Sequence, residues 1–230
     1  MKVLSLFDGI SCGMLALQRA GIPVECYDAF EIDKYAVTVS KRNFPVIVHH
    51  GNVYDGDFTQ FKGYDLLLGG SPCTYWSIAK KDREVDCNGE GFRLFKEYVR
   101  ALEESGCKYF LYENNYSVHQ NIKDEITRVL GVEPIMINSA LVSAQNRKRC
   151  YWTNIPFTSF PEDKGILLKD VLESGVTWQD KSYCMTASYD GADGCAMERC
   201  RQPARTVFQR VCAGGLAVQL HAHQPVRRDQ

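Results

Sequence analysis

The chain has 230 residues, 45% of them hydrophobic and 24% charged, which suits one sizeable core or one domain with a small second lobe and places it among globular rather than intrinsically disordered chains. A formal net charge of -1 excludes a global basic signature for nucleic acid, so any polyanion contact must come from a local cluster such as Arg147-Lys148-Arg149. Ten cysteines behind a start that runs from Met1-Lys2 straight into Val3-Leu4-Ser5-Leu6-Phe7 predict reduced thiols in a cytoplasmic protein, and no apolar stretch reaches the roughly 18 residues of a membrane span.

Val3 to Phe7 predicts a short buried strand, and Asp8-Gly9-Ile10-Ser11-Cys12-Gly13 turns into a helical pattern, Met14 to Ala20, that Gly21-Ile22-Pro23 stops. A strand, a glycine-flanked loop and a helix form a unit whose backbone N–H groups can meet the polar end of a nucleotide-like ligand. The loop is not G-x-G-x-x-G. Asp8 at its start disfavours a phosphate and favours a ligand bearing an ammonium or sulfonium, although a purely structural βα turn accounts for the pattern equally well. Val24 to Phe30 is a second strand ending in Glu31-Ile32-Asp33, and Lys34 to Asn43 a helix for which Asp33 is the N-cap. At that strand end Glu31 can accept hydrogen bonds from two ribose hydroxyls, and Ile32 can pack on a base. Val46 to His49 gives a third strand, with Asn52 in its exit loop positioned to read an adenine edge.

The apolar run Leu66 to Leu68 reads as a parallel strand opening into Gly69-Gly70-Ser71-Pro72-Cys73, where Pro72 stiffens the loop that presents one thiol. Cys73 is either a nucleophile or a buried thiol beside a turn. The polar stretch Lys80 to Gly91 reads as a lid or as a plain surface loop, and Phe92 to Glu104 as an amphipathic helix. Lys108 to Tyr112 is a strand delivering Glu113-Asn114-Asn115 to the same edge as Cys73; a helix, Ile122 to Leu130, and a strand, Glu133 to Asn138, follow. In Gln145-Asn146-Arg147-Lys148-Arg149 the period of a strand puts Arg147 and Arg149 on one face and turns Lys148 away. From Ile155 the chain breaks into short pieces, helical only over Leu167 to Glu173, and the tail 211–230 has weak periodicity. Cys184, Cys195, Cys200 and Cys212 lack a C-x-x-C pair, so no metal is expected.

In order and spacing, Phe7-Asp8-Gly9 with Gly13, Glu31, Gly70-Ser71-Pro72-Cys73, Glu113-Asn114 and Gln145 to Arg149 resemble the cytosine-5 DNA methyltransferase family over residues 1 to about 153, and most of all its small bacteriophage and prophage members. The resemblance implies an α/β, Rossmann-like S-adenosylmethionine-dependent sheet with helices on both faces. Residues 1–154 would be the catalytic domain, and 155–230 a partial target-recognition lobe with an atypical tail. It further implies that S-adenosylmethionine, leaving as S-adenosylhomocysteine, lies on Phe7, Asp8, Gly9, Gly13, Glu31, Ile32, Asn52 and Pro72, where many members carry Asp in place of Asn52. Cys73 would attack C6 of a cytosine flipped out of double-stranded DNA, Glu113 would hold N3 and the 4-amino group, Arg149 would approach the base O2, and Arg147 the backbone or nucleophile. A monomer is expected. From about Met197 the likeness ends and the closing segment of the family is not found, so a truncated, non-catalytic remnant is the alternative, and transfer to tRNA a further one.

Overall fold

The computed structural model describes residues 1–78 and 81–184. Among them seven strands, β1 (Lys2–Leu6), β2 (Cys26–Phe30), β3 (Val48–His49), β4 (Leu66–Gly69), β5 (Tyr109–Asn115), β6 (Ile135–Asn138) and β7 (Lys148–Thr153), form one sheet in the order β3-β2-β1-β4-β5-β7-β6. β1 runs parallel to β2 and β4, β2 to β3 and β4 to β5, whereas β7 is antiparallel to β5. Helices α1 (Cys12–Arg19), α2 (Lys34–Asn43), α3 (Glu90–Ser105) and α4 (Gln120–Leu130) provide the crossovers, and α5 (Leu168–Val171) is a single turn.

Strand alternation sorts the core onto two faces. Val3 and Leu66 pack with Met14 and Leu17 of α1, while Leu4, Leu6 and Leu67 pack with Phe95 and Tyr98 of α3 and Ile122 and Ile126 of α4. Both faces are therefore covered by helices, which is why these strands read as unbroken apolar runs rather than as alternating ones. Burial of each such side chain contributes about 1.5–3 kcal/mol. The expected α/β sheet with helices on both faces is the observed architecture, and Asp33 caps α2 by accepting from the Tyr35 and Ala36 amides.

Two boundaries differ from the sequence reading in ways that matter for the site. Phe7 is not strand: its φ is +56°, and Ser11 follows at +64°, so the loop after β1 carries two non-glycine residues in the left-handed region. β5 continues through Glu113, Asn114 and Asn115 because β7 pairs with them, Glu113 opposite Tyr151 and Asn115 opposite Arg149.

The described residues group into two compact units, Met1–Ile137 with Lys148–Ser159, and Asn138–Arg147 with the described residues from Phe160 onward. A division at 154/155 misses the segment 138–147. The physical reason lies in Lys181, whose ammonium donates to the carbonyls of Ala140 (2.7 Å), Ser143 (3.1 Å) and Ile166 (2.6 Å), and in a bridge between Gln145 and Ser182. These bonds join segments far apart in sequence, so nothing local signals them. The tail 211–230 and Cys195, Cys200 and Cys212 lie outside the described residues.

Candidate functional site

The loop after β1 is built around Asp8. Its carboxylate accepts from Ser5 Oγ (2.6 Å), from Tyr27 Oη (2.7 Å) and from Ser11 Oγ. Burial, and then the charge of Asp8, push the Tyr27 phenol far above its usual range, so it remains a donor. Sequence reasoning assigned Asp8 to a cationic ligand. The structure gives its oxygens to three hydroxyls, and these leave its charge in place as a field on the loop. Gly13 has its own cause: a Cβ there would lie 2.7 Å from Leu68 Cδ1 and 2.8 Å from Tyr27 Oη, so any other residue would have to push those side-chain ends aside for α1 to lie this close to the sheet.

Glu31, just beyond the carboxyl end of β2, accepts from the Gly9 amide (2.8 Å) through Oε2 and from the Ile32 and Asp33 amides (both 2.8 Å) through Oε1. It thus ties the loop after β1 to the start of α2. Beside it Ile32 is 76% exposed, an apolar side chain left uncovered at a strand end. Asn52 caps a short 3₁₀ turn, its Oδ1 accepting from the Tyr54 amide at 3.1 Å, which commits the carbonyl and leaves the amide NH₂ to other partners.

At the next strand end, Pro72 (φ -50°) precedes a 3₁₀ turn, Cys73–Tyr75, with Cys73 half-buried. The loop before it is locked from beneath: Ser71 Oγ and Tyr112 Oη are 2.6 Å apart, and Asn114 Nδ2 donates to the Ser71 carbonyl (3.1 Å) and to Tyr112 Oη (3.3 Å), all buried. Such a satisfied internal network fixes backbone position. Asn114, read only as a companion of Glu113, is therefore the clamp of the Cys73 loop. The loop after Cys73 is held through Glu84, whose backbone N–H donates to the Tyr75 carbonyl (2.9 Å) and whose carboxylate accepts from the buried Trp76 indole (3.0 Å) and from the Gly91 amide (3.2 Å). Arg83 Nη1 further donates to the Ser117 carbonyl at 2.8 Å. Within the stretch read as a lid or surface loop, these residues are anchored.

Glu113 meets Arg149 across the β5–β7 pair, Oε1 to Nε 2.7 Å, with the Arg149 side chain 11% exposed. Arg149 Nη1 also donates to the Lys148 carbonyl at 2.8 Å. Arg147 is different. It precedes β7 and belongs to the second unit, where its backbone bonds to Ser139 and Asn138 and its Nη1 lies 3.3 Å from Cys184 Sγ. The strand-period argument took Arg147 and Arg149 as one strand face, but β7 begins at Lys148 and Arg147 lies just outside it.

Sequence reasoning also missed a chain of hydroxyls beneath the first loop. Ser11 Oγ contacts Ser40 Oγ, and Ser40 Oγ lies 3.1 Å from His49 Nε2, so α2 and β3 are wired to Asp8. Nothing in the spacing of Ser11, Ser40 and His49 announces it. His49 Nδ1 is buried without a partner, and burial lowers the pKa of the ring; Asp8 and Glu31 act in the opposite sense, while Lys41 and His50 reinforce burial. Above about pH 6.5 the ring is neutral folded or unfolded, and its contribution is complete. As the pH falls below that value the unfolded chain takes up the proton first, and stability is lost until the folded ring also protonates. Thermal melting of wild type and His49→Gln between pH 7.5 and 5 is expected to show the wild-type advantage shrinking as the pH falls; a constant difference would refute the assignment.

A family model described as C-5 cytosine-specific DNA methylase matches residues 1–157. The orphan methyltransferase M.SPRI of Bacillus phage SPR is 31% identical over 192 residues, covering 76% of this chain and 43% of that protein. The type II methyltransferase M.NgoBV of Neisseria gonorrhoeae is 27% identical over 209 residues, 80% of this chain and 49% of that protein. The chain thus spans less than half the length of these curated relatives. Among solved structures, a Spodoptera frugiperda DNMT2 mutant superposes with a TM-score of 0.64 at 21% identity, over 82% of this chain and 70% of that one, a likeness of fold.

Proposed function

Because the chain belongs to the C-5 cytosine-specific DNA methylase family, we propose that it transfers a methyl group from S-adenosylmethionine to C5 of a cytosine in double-stranded DNA. The observation that carries this reading is the convergence, at one edge of the parallel strands, of the Glu31-tied loop, the locked Cys73 loop and the Glu113–Arg149 pair. Ligands of open α/β sheets bind at that edge. The residues fit the cofactor. Loop amides and the Asp8 field suit an amino-acid and sulfonium end, Glu31 suits ribose hydroxyls, and the uncovered Ile32 suits an adenine face, with Phe7, Gly9, Gly13, Asn52 and Pro72 around them. When bound, S-adenosylmethionine supplies an electrophilic methyl group on sulfur.

The residues of the chain do the rest. A cytosine flipped from the duplex offers C6, to which the Cys73 thiolate adds; the electron pair of the C5–C6 double bond moves into the ring and makes C5 enamine-like. Glu113, as a carboxylic acid, holds N3 and the 4-amino group and supplies from its second oxygen the proton that relieves charge there, becoming a carboxylate. Arg149 orients the group through Oε1 and faces the base O2. After C5 has gained the methyl group it loses its proton to a base, and the electrons of that C–H bond re-form the double bond and expel the thiolate. The unit holding residues 1–137 and 148–159 would carry this chemistry, and the unit holding 138–147, with Arg147, would read the target.

Calorimetric titration with S-adenosylmethionine tests the cofactor half. Micromolar binding by wild type is expected, weakened by about 10- to 100-fold in Glu31→Ala, the range for losing hydrogen bonds to a charged group. Equal affinity in the variant would remove Glu31 from the site, and no binding by wild type would overturn the proposal in favour of a non-catalytic module of this fold.

A further inference from the structure

Lys148 was set apart by strand period, and the structure gives it company. Tyr116, directly after β5, is 43% exposed, and two ammonium groups address its ring: Lys123 Nζ at 5.0 Å from the centroid and Lys148 Nζ at 5.8 Å. The three come from different elements. The Tyr116 amide meets the Lys148 carbonyl at 3.4 Å, and Lys123 is the fourth residue of α4. All three lie in the same compact unit, at the strand edge where β5 delivers Glu113. Because β7 side chains alternate, Lys148 falls on the Cys150 and Trp152 face and Arg149 on the other.

Fold stability does not account for this cluster. Among the described residues neither ammonium forms an ion pair with a carboxylate, although Arg93, Arg100, Arg128 and Arg149 all do. A cation near the start of a helix opposes the helix dipole, and two like charges sharing one ring repel each other. A chain of net charge -1 thus gathers two uncompensated cations around an exposed aromatic ring, with the ring holding the ammonium groups in place.

We propose that Lys123, Lys148 and Tyr116 form a backbone clamp for the duplex, the two ammonium groups each neutralising a DNA phosphate on the flank of the cytosine-accepting edge. This rests on the DNA reading of the site. Phosphate contacts carry no sequence information and set the register of the protein on the duplex, so the clamp would orient DNA before the base is flipped. It differs from the Glu113–Arg149 pair in facing away from the base.

The test is the salt dependence of binding of a mixed-sequence duplex oligonucleotide by the full chain. Two phosphate contacts contribute about -1.8 to the slope of log K against log salt, so Lys123→Gln/Lys148→Gln should lose that much. Between 50 and 200 mM salt its affinity would fall roughly tenfold less than wild type. Lys123→Arg/Lys148→Arg should keep the wild-type slope, and S-adenosylmethionine affinity should be unchanged in both, which separates the effect from misfolding. An unchanged slope in the glutamine variant of a DNA-binding wild type would overturn the clamp and leave the proposed activity standing. No duplex binding by wild type at low salt would overturn both. A lysine-dependent slope with a tRNA hairpin but not with DNA would overturn the DNA assignment.

Discussion

Cys73→Ala is expected to reduce methyl transfer by about three orders of magnitude or more while leaving the fold and the cofactor site intact, because removing a covalent nucleophile removes the reaction path rather than part of a binding energy. The thiol itself is not needed by the structure. Cys73 opens a 3₁₀ turn whose position is fixed by the Ser71–Tyr112–Asn114 network beneath and by Glu84 behind, and neither uses the sulfur. The measurement is transfer of labelled methyl from S-adenosylmethionine to duplex DNA, with calorimetry on the same preparations. A duplex with fluorine at C5 of the target cytosine sharpens it: fluorine cannot leave as a proton does, so the thiol adduct should persist and migrate as a protein–DNA conjugate in wild type and be absent in the variant. Transfer by Cys73→Ala at more than a tenth of the wild-type rate would end the covalent reading.

Gly70→Ala should act on stability and rate together. A Cβ at Gly70 would stand 2.5 Å from the Glu113 carbonyl oxygen and 3.2 Å from its Oε2. The closer obstacle is backbone, in a strand paired on both sides, so it cannot swing aside as a flexible side chain would. Overpacking of this kind costs about 1–3 kcal/mol, a fall in Tm of roughly 2–12 °C for a chain of this size. What yields will shift either the Cys73 loop or Glu113, and misplacement by an ångström costs about 100-fold in rate. Gly70→Ala is therefore expected to lose far more kcat than cofactor affinity, since the Glu31 site is built from other loops. Thermal melting with single-turnover transfer assays measures both; an alanine variant that melts and turns over like wild type would mean that β4 and β5 are not held this close.

The parts of the molecule that the sequence made legible share a physical origin. Apolar runs flanked by glycine define strands, because both faces of a parallel sheet are buried, and an amphipathic stripe defines α3 and α4. Asp33 as an N-cap is a local hydrogen bond, and the thiol beside Pro72, the acid after β2 and the acid at the end of β5 are recognisable because order and spacing along the chain are one-dimensional properties. Family, fold class and the identity of the candidate nucleophile were therefore within reach of residues alone.

Everything that depends on two distant segments meeting was not. Arg149 reaches Glu113 because β7 pairs antiparallel with β5, a choice that strand period cannot reveal, and Arg147 lies outside β7, which starts at Lys148. Asp8 turns inward to Ser5, Ser11 and Tyr27, Asn114 clamps the Cys73 loop, and Ser40 with His49 extends the same network, since a buried polar group must find a partner wherever the fold brings one. The sequence by itself determined which side chains are available for the chemistry. Which of them act as reagents and which as supports was decided by tertiary structure, because hydrogen bonds and steric exclusion operate over a few ångströms in space, whatever the separation along the chain.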